Sequence, residues 1–236
     1  QPIVRQKLLA EYGLAAILEV EFSHQFALLS PEAFFDDWLV KGLKATAIVV
    51  GHDFRFGAGG KGDYQLLRKL TKTAEIYSEQ FPPVVECGEV ISSSRIRRLL
   101  LDGSLEAANR MLGYPFTLTG VVVEGEKRGR KLGFPTANIR IPPGILLPAY
   151  GVYLVRFTVE GETFYGVASV GVKPTFGAYA PLIEVFLLGA DLDLYHRAAG
   201  VEFLKYIRPE RRFEDAAALV AQIRNDVKTA QKLLKS

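Results

Sequence analysis

Residues 125–138 read Gly-Glu-Lys-Arg-Gly-Arg-Lys-Leu-Gly-Phe-Pro-Thr-Ala-Asn, a run with several ways of handling phosphate. Gly125, Gly129 and Gly133 permit close backbone approach and unusual dihedral angles. Lys127, Arg128, Arg130 and Lys131 surround them, and the N–H groups of such a loop can cradle an anion. The Thr136 hydroxyl and the Asn138 amide follow where a strand should begin. Hard oxygen donors of this kind suit Mg²⁺ held against phosphate groups. The plain alternative is a solvated basic hairpin loop, which composition alone favours. Neither a Walker A pattern nor a protein-kinase signature is present.

The elements that must position this run fall into two stretches. Over residues 1–112 helices and strands alternate, which indicates an α/β domain with a parallel sheet. Val4, Leu8, Leu9 and Tyr12 have helical spacing up to Gly13, and Ala15–Val20 is an apolar run short enough for a buried strand. Ser30-Pro31-Glu32 starts a helix that should stop at Gly42. Thr46–Val50 reads as a buried parallel strand. A Gly-rich loop over 51–62 leads into a helix over 63–70. Strands are expected at 74–77 and 84–87, and a helix at 93–101.

The pattern changes near Gly113. Strands are expected at 116–124, 135–140, 150–159, 163–171 and 182–188, with Glu160-Gly161-Glu162 as a hairpin turn. Strands at this spacing suggest a small barrel or sandwich. A final helix over 213–234 carries Leu219, Ile223, Val227, Ala230 and Leu234 in one stripe that should pack on the barrel.

The 125–138 run resembles the signature of the riboflavin kinase family, in which Pro-Thr-Ala-Asn follows a Gly-rich loop. Four further segments resemble that family in the same order: Gly151-Val152-Tyr153, Ser169–Gly177, Pro181–Val185 and Asp193-Leu194-Tyr195. The resemblance implies a kinase that moves the γ-phosphate of ATP onto the riboflavin 5′-hydroxyl. It implies that Gly125, Gly129, Arg130, Gly133, Pro135, Thr136 and Asn138 bind ATP, and that Thr136 and Asn138 hold the Mg²⁺–phosphate end. Glu184 would take the proton from the hydroxyl. Taken without the resemblance, a lone Glu between Ile183 and Val185 is an ordinary residue of a solvated strand face. Two positions depart from the family pattern: Phe186 stands where His is frequent, and His196 where Gly is frequent.

Residues 1–112 resemble the second half of the FMN adenylyltransferase module that bacteria commonly fuse ahead of riboflavin kinase. One carrier is the loop with Gly51, Asp53, Phe54, Phe56 and Gly57. The other is the helix start Ser92-Ser93-Ser94 with Arg97. Helix amides, Ser hydroxyls and an Arg can together bind a triphosphate; simple helix capping is the alternative for the serines. The superfamily's His-x-Gly-His motif is absent, since His24, His52 and His196 lie in no such pattern. The chain also begins at Gln1 as though in mid-domain. The expectation is a partial adenylyltransferase domain over 1–112 and a kinase domain over 113–236. The chain as written should then make FMN but not FAD, with both activities in a longer protein.

Bulk composition narrows the rivals. The chain is 49% hydrophobic and 23% charged, as soluble globular proteins are. A net charge of +3 argues against a nucleic-acid partner despite a pI of 8.9. No run reaches the ~20 apolar residues of a membrane span, no secretory signal is present, and the lone Cys87 makes no internal disulfide. A cytoplasmic location is the default expectation. The other rivals are a kinase with a relic N-terminal domain and a flavin-binding barrel without catalysis. Oligomeric state is not legible.

Overall fold

A strand whose residues alternate in polarity buries one face and leaves the other for different work. Much of the chain after Gly113 is built this way. The computed structural model describes residues 1–125, 128–172, 181–190, 192 and 194–235. Glu126, Lys127, the Lys173–Gly177 segment and Asp193 therefore lie outside the described residues. Two compact units are present, one of residues 15–91 and the other of residues 1–14 together with the chain from Ser92 on.

Helix α1 (Pro2–Glu11) belongs to the larger unit. Gln1 ties its start to Thr119, donating from Nε2 to the Thr119 carbonyl at 2.7 Å and accepting from the Thr119 N–H at 2.6 Å.

The smaller unit begins with the single turn α2 (His24–Ala27) and with α3 (Pro31–Ala33), which continues as wider π-type turns over Phe34–Gly42. Strand β1 (Ala47–Val50), helix α4 (Tyr64–Thr73) and strand β2 (Tyr77–Gln80) follow, then a short hairpin of β3 (Val85–Glu86) and β4 (Glu89–Val90). The helix starts follow their caps. Ser30 accepts from the Ala33 N–H at 3.0 Å, and Asp63 from the Leu66 N–H at 2.9 Å. Strands β1 and β2 pair in parallel, in register Ala47 with Tyr77. Phe35, Phe56 and Leu67 form the unit's core.

Three expectations change here. Residues 15–20 form no strand, because none of the strands among the described residues pairs with them, and they lie exposed. The strand expected at 74–77 starts only at Tyr77, since Ala74 caps α4 and Glu75 takes a positive φ of 56°. The run 84–87 contributes two residues to an antiparallel hairpin instead of joining the parallel pair.

The larger unit resumes with α5 (Ser93–Leu101) and α6 (Leu105–Leu112). It continues with β5 (Phe116–Val123), the turn of helix α7 (Arg128–Lys131), β6 (Thr136–Arg140), β7 (Gly151–Val159), β8 (Glu162–Val172), β9 (Pro181–Leu187), β10 (Ala198–Pro209) and α8 (Ala216–Leu233). The six strands close an antiparallel barrel in the order β10-β5-β6-β9-β8-β7. A two-residue turn at Glu160-Gly161, with φ of 49° and 85°, joins β7 to β8 as the type I′ geometry requires.

Alternate residues point into the barrel. Ile139, Tyr153, Val155, Ile183, Val185 and Phe203 are almost wholly buried there. Leu100, Leu105 and Ala108 of α5 and α6 join the same core, which is why the larger unit starts near Ser92. Tyr153 donates its phenol hydrogen to the Ala149 carbonyl. Burial, with Tyr206 and Glu106 adding to it, pushes this phenol well above the ordinary range, so it stays a donor.

Strand β10 and helix α6 are not among the sequence expectations. β10 is the longest strand and pairs with both β5 and β7. Its signal is present as alternation from Ala199 through Val201 to Phe203, but Lys205 and Arg208 sit close to two register shifts that interrupt the period. The final helix begins at Ala216 behind an Asp215 cap, leaving Phe213 outside it. Its stripe also divides. Val227, Ala230 and Leu233 pack on Val152, Leu154 and Val167 of the barrel's outer face, whereas Leu234 is partly exposed.

Phe203→Ala should destabilise the barrel unit by about 3–5 kcal/mol, because a wholly buried ring leaves a cavity that the surrounding strands cannot fill. Chemical denaturation monitored on the barrel unit measures this, and a loss below ~1 kcal/mol would contradict the central place of β10.

Candidate active site

Strand register carries one row of side chains across five strands of the barrel. Asn138 of β6 stands opposite Glu184 of β9, and Glu184 opposite Ser169 of β8. Ser169 stands opposite Val152 of β7, and Val152 opposite Arg208 of β10. Their sequence neighbours Ile139, Ile183, Val185, Tyr153 and Val170 fill the barrel, so the row faces outward. A second row runs beside it, from Thr136 through Phe186 to Val167.

Both rows form the floor of a cavity of about 330 Å³. Leu219 and Ile223 of α8 and Phe213 roof it, and Gly129, Leu132 and Phe134 form one edge. Phe134 and Phe186 meet edge to face, with centroids 5.3 Å apart. The volume and the apolar lining with a few polar groups suit a small organic molecule.

A smaller cavity adjoins this one. Gly125, Arg130, Pro135, Leu187 and Tyr195 line it together with Thr136 and Asn138. Thr136 and Asn138 thus form part of the wall of both cavities. A molecule in either cavity would meet the same hydroxyl and amide.

Two glycines are required by this packing. A Cβ on Gly125 would overlap the Asn138 amide, and a Cβ on Gly129 would overlap the Phe134 carbonyl oxygen. The Gly129 carbonyl accepts from the N–H groups of Phe134 at 2.8 Å and Leu132 at 3.0 Å, folding the loop back on itself. Gly133 has φ of 83°, turns the chain back toward β6 and lines neither cavity.

The Asn138 carbonyl oxygen is buried and accepts no hydrogen bond, while its amide nitrogen makes only a long 3.5 Å bond to the Thr136 carbonyl. Buried polar atoms are normally satisfied, so an orphaned oxygen beside a hydroxyl is a place for a ligand or ion. No cluster of three His, Cys, Asp or Glu side chains exists among the described residues. A hard cation here would therefore complete its shell with water and with oxygens of a bound phosphate compound.

The structure brings Gly125, Gly129, Arg130, Pro135, Thr136, Asn138 and Glu184 around these two cavities. The remaining sequence candidates lie elsewhere. Ser92 caps α5 by accepting from the Arg95 N–H at 3.3 Å, and Ser93, Ser94 and Arg97 are exposed. In the smaller unit, Phe54 stacks on Phe56 with centroids 5.5 Å apart, and Phe56 is buried in the core. Gly57, with φ of 71°, abuts Pro31, while Gly51 and Asp53 are exposed. His196 is exposed in a turn.

Phe213, Arg208 and Asp226 line the larger cavity and escaped the sequence reading. Asp226 did leave a signal: it continues the spacing of Leu219 and Ile223, where an apolar residue is expected.

Comparison with known proteins matches residues 112–234 to the riboflavin kinase family and residues 2–95 to the FAD synthetase family. A bifunctional riboflavin kinase/FMN adenylyltransferase of Listeria monocytogenes is 39% identical, covering 92% of this chain and 69% of that one. The Escherichia coli protein of the same description is 41% identical, covering 97% and 74%. A crystal structure described as a macrolide-efflux protein from Streptococcus pneumoniae superimposes with a TM-score of 0.89 at 32% identity, covering 98% of this chain and 74% of that one. Among the described residues of the present chain, no helix is long and apolar enough to cross a membrane.

Gly129→Ala should open the loop at 128–134 while leaving the barrel intact. Tryptic cleavage within that loop should speed up about tenfold in the folded protein, with the unfolding midpoint of the barrel nearly unchanged. An unaltered cleavage rate would show that the loop does not depend on the close approach at Gly129.

Proposed function

Since this chain belongs to the bifunctional riboflavin kinase/FMN adenylyltransferase family, we propose that its part from Gly113 on is a kinase domain that transfers the γ-phosphate of ATP to the riboflavin 5′-hydroxyl. The observation that carries this reading is the common wall of Thr136 and Asn138 between two cavities, with Glu184 next to Asn138 in the larger one. Riboflavin takes the larger cavity, where the apolar roof and the Phe134–Phe186 pair receive its ring system. ATP takes the smaller one, where Gly125 and Arg130 meet its phosphates.

Phosphoryl transfer is mostly a matter of positioning and charge neutralisation. Glu184 accepts the proton of the 5′-hydroxyl as that oxygen bonds to the γ-phosphorus, and ADP leaves with the electrons of the broken bridge. Thr136 and Asn138 would hold Mg²⁺, which when bound would neutralise phosphate charge. The orphaned Asn138 oxygen and the Thr136 hydroxyl fit that ion. The larger cavity lies against the outer face of the barrel, whereas the smaller one also touches the core residues Val122, Leu187 and Leu194, so reactants meet at the Thr136–Asn138 wall between the two.

Residues 1–112 are proposed as part of an FMN adenylyltransferase domain. Gly51, Asp53, Phe54, Phe56 and Gly57 belong to its flavin-side loop, and Ser92, Ser93, Ser94 and Arg97 to its nucleotide-binding helix start. In a protein with the complete module the FMN formed by the kinase would be adenylylated to FAD. The kinase partners are small molecules, and the proposed setting is the cytoplasm.

Incubating the chain with riboflavin, ATP and Mg²⁺ and separating the flavins by chromatography tests the reading, with FMN as the expected product. Flavin binding without any product would leave a binding protein in place of a kinase. Glu184→Gln should lower turnover by about 10²–10⁴-fold with riboflavin affinity nearly retained; unchanged turnover would remove Glu184 as the base. Thr136→Val should raise the Mg²⁺ concentration needed for half-maximal rate, and wild-type metal dependence in that variant would reject the ligand role.

A further inference from the structure

Asp226 is the one acidic side chain among the described residues that is buried. It lies on the apolar side of α8, between Ile223 in the cavity roof and Ala230 on the barrel. Arg208 of β10 grips it with two nitrogens. Nε donates to Oδ1 at 2.9 Å and to Oδ2 at 3.1 Å, and Nη2 donates to Oδ2 at 2.7 Å. Gln222, one turn earlier, donates to Oδ1 at 2.7 Å. The Arg208 Nη1 group donates to the Pro209 carbonyl at 2.9 Å. Phe213, which links β10 to α8, lies against the guanidinium groups of Arg208 and Arg211, 5.9 and 4.9 Å from its ring centre.

Apolar packing of α8 on Val152, Leu154 and Val167 constrains its height by shape alone. A fork of hydrogen bonds between a fixed strand residue and one helix residue permits a single height. Arg208 ends the row that contains Glu184, so the fork ties the helix to the same strands that carry the base. One turn before Asp226 stands Ile223, and one further turn back Leu219, the two helix residues of the roof.

We propose that Arg208 and Asp226 are positioning residues for the larger cavity: their ion pair sets the axial register of α8 and so places Leu219, Ile223 and Phe213 over the ring of the bound flavin. This rests on the reading that the larger cavity takes riboflavin. Neither residue touches the reacting atoms. Loss of the pair should therefore weaken flavin binding while sparing ATP use and turnover at saturation.

The decisive variant is the double substitution Arg208→Met with Asp226→Leu, since an apolar replacement of a whole buried pair is commonly neutral or stabilising. Riboflavin affinity is read from quenching of its own fluorescence, alongside the KM for each substrate, kcat and the melting temperature. The expected result is a folded variant with riboflavin Kd and KM raised about tenfold or more, and with ATP KM and kcat within about threefold of the parent. If the double variant does not fold, Asp226→Asn, which retains the shape and one acceptor, carries the same readout. Arg208→Lys should then be as weak as Asp226→Asn, because an ammonium cannot reproduce the fork. Riboflavin affinity within about twofold of the parent, or an equal rise in both KM values, would overturn the proposal. A parent chain that binds no riboflavin would instead remove the functional reading beneath it.

Discussion

Closure of the barrel by β10 is the constraint on which the rest of the larger unit depends. This strand pairs with β5 on one side and β7 on the other, so the sheet has no free edge. Closure also forces every strand to have an inside and an outside. The inside is filled by Ile139, Val155, Ile183 and Phe203, while the core residues Val122, Leu187 and Leu194 also border the smaller cavity. The period of two that buries Ile183 and Val185 turns Glu184 outward, into the larger cavity on the outer face.

An outer barrel face is solvated unless something covers it, and α8 supplies the cover. Its last turns pack on Val152, Leu154 and Val167, while its first turns stand over the cavity. The helix thus contributes to stability at one end and to recognition at the other. The Arg208–Asp226 pair, its carboxylate buried and its guanidinium partly exposed, lies where the two roles meet. Desolvating two such charges costs several kcal/mol per ion, which the fork of hydrogen bonds and Gln222 must offset. An apolar pair would pack there without that cost, so selection for stability alone does not account for it.

The phosphate-side loop follows a different logic. Its folded form depends on close backbone approach at Gly125 and Gly129, which any side chain would prevent. The apparent flexibility of a glycine-rich basic run is here the means to a compact turn, with the Gly129 carbonyl accepting twice. This turn and β6 together bring Arg130 and Asn138 to one cavity, eight residues apart in the chain.

Much of this was legible in residue order. The strands over 116–188, the hairpin at Glu160-Gly161 and the capped helix starts at Ser30, Asp63 and Ser92 follow from local periodicity and local hydrogen bonding, which the sequence carries directly. The motif from Gly125 to Asn138 was legible for the same reason, because its residues are contiguous. Other features depended on partners distant in the chain. Residues 15–20 look like a strand but pair with none of the strands among the described residues, and β10 hides behind two register shifts until β5 and β7 flank it. The row from Asn138 to Arg208 draws on five separate strands, and Asp226 is intelligible only opposite Arg208. Sequence by itself determined the strands over 116–188 and which residues are equipped for phosphate chemistry. Tertiary structure decided which of them share a cavity, because barrel register is set by hydrogen bonds between strands that no local pattern encodes.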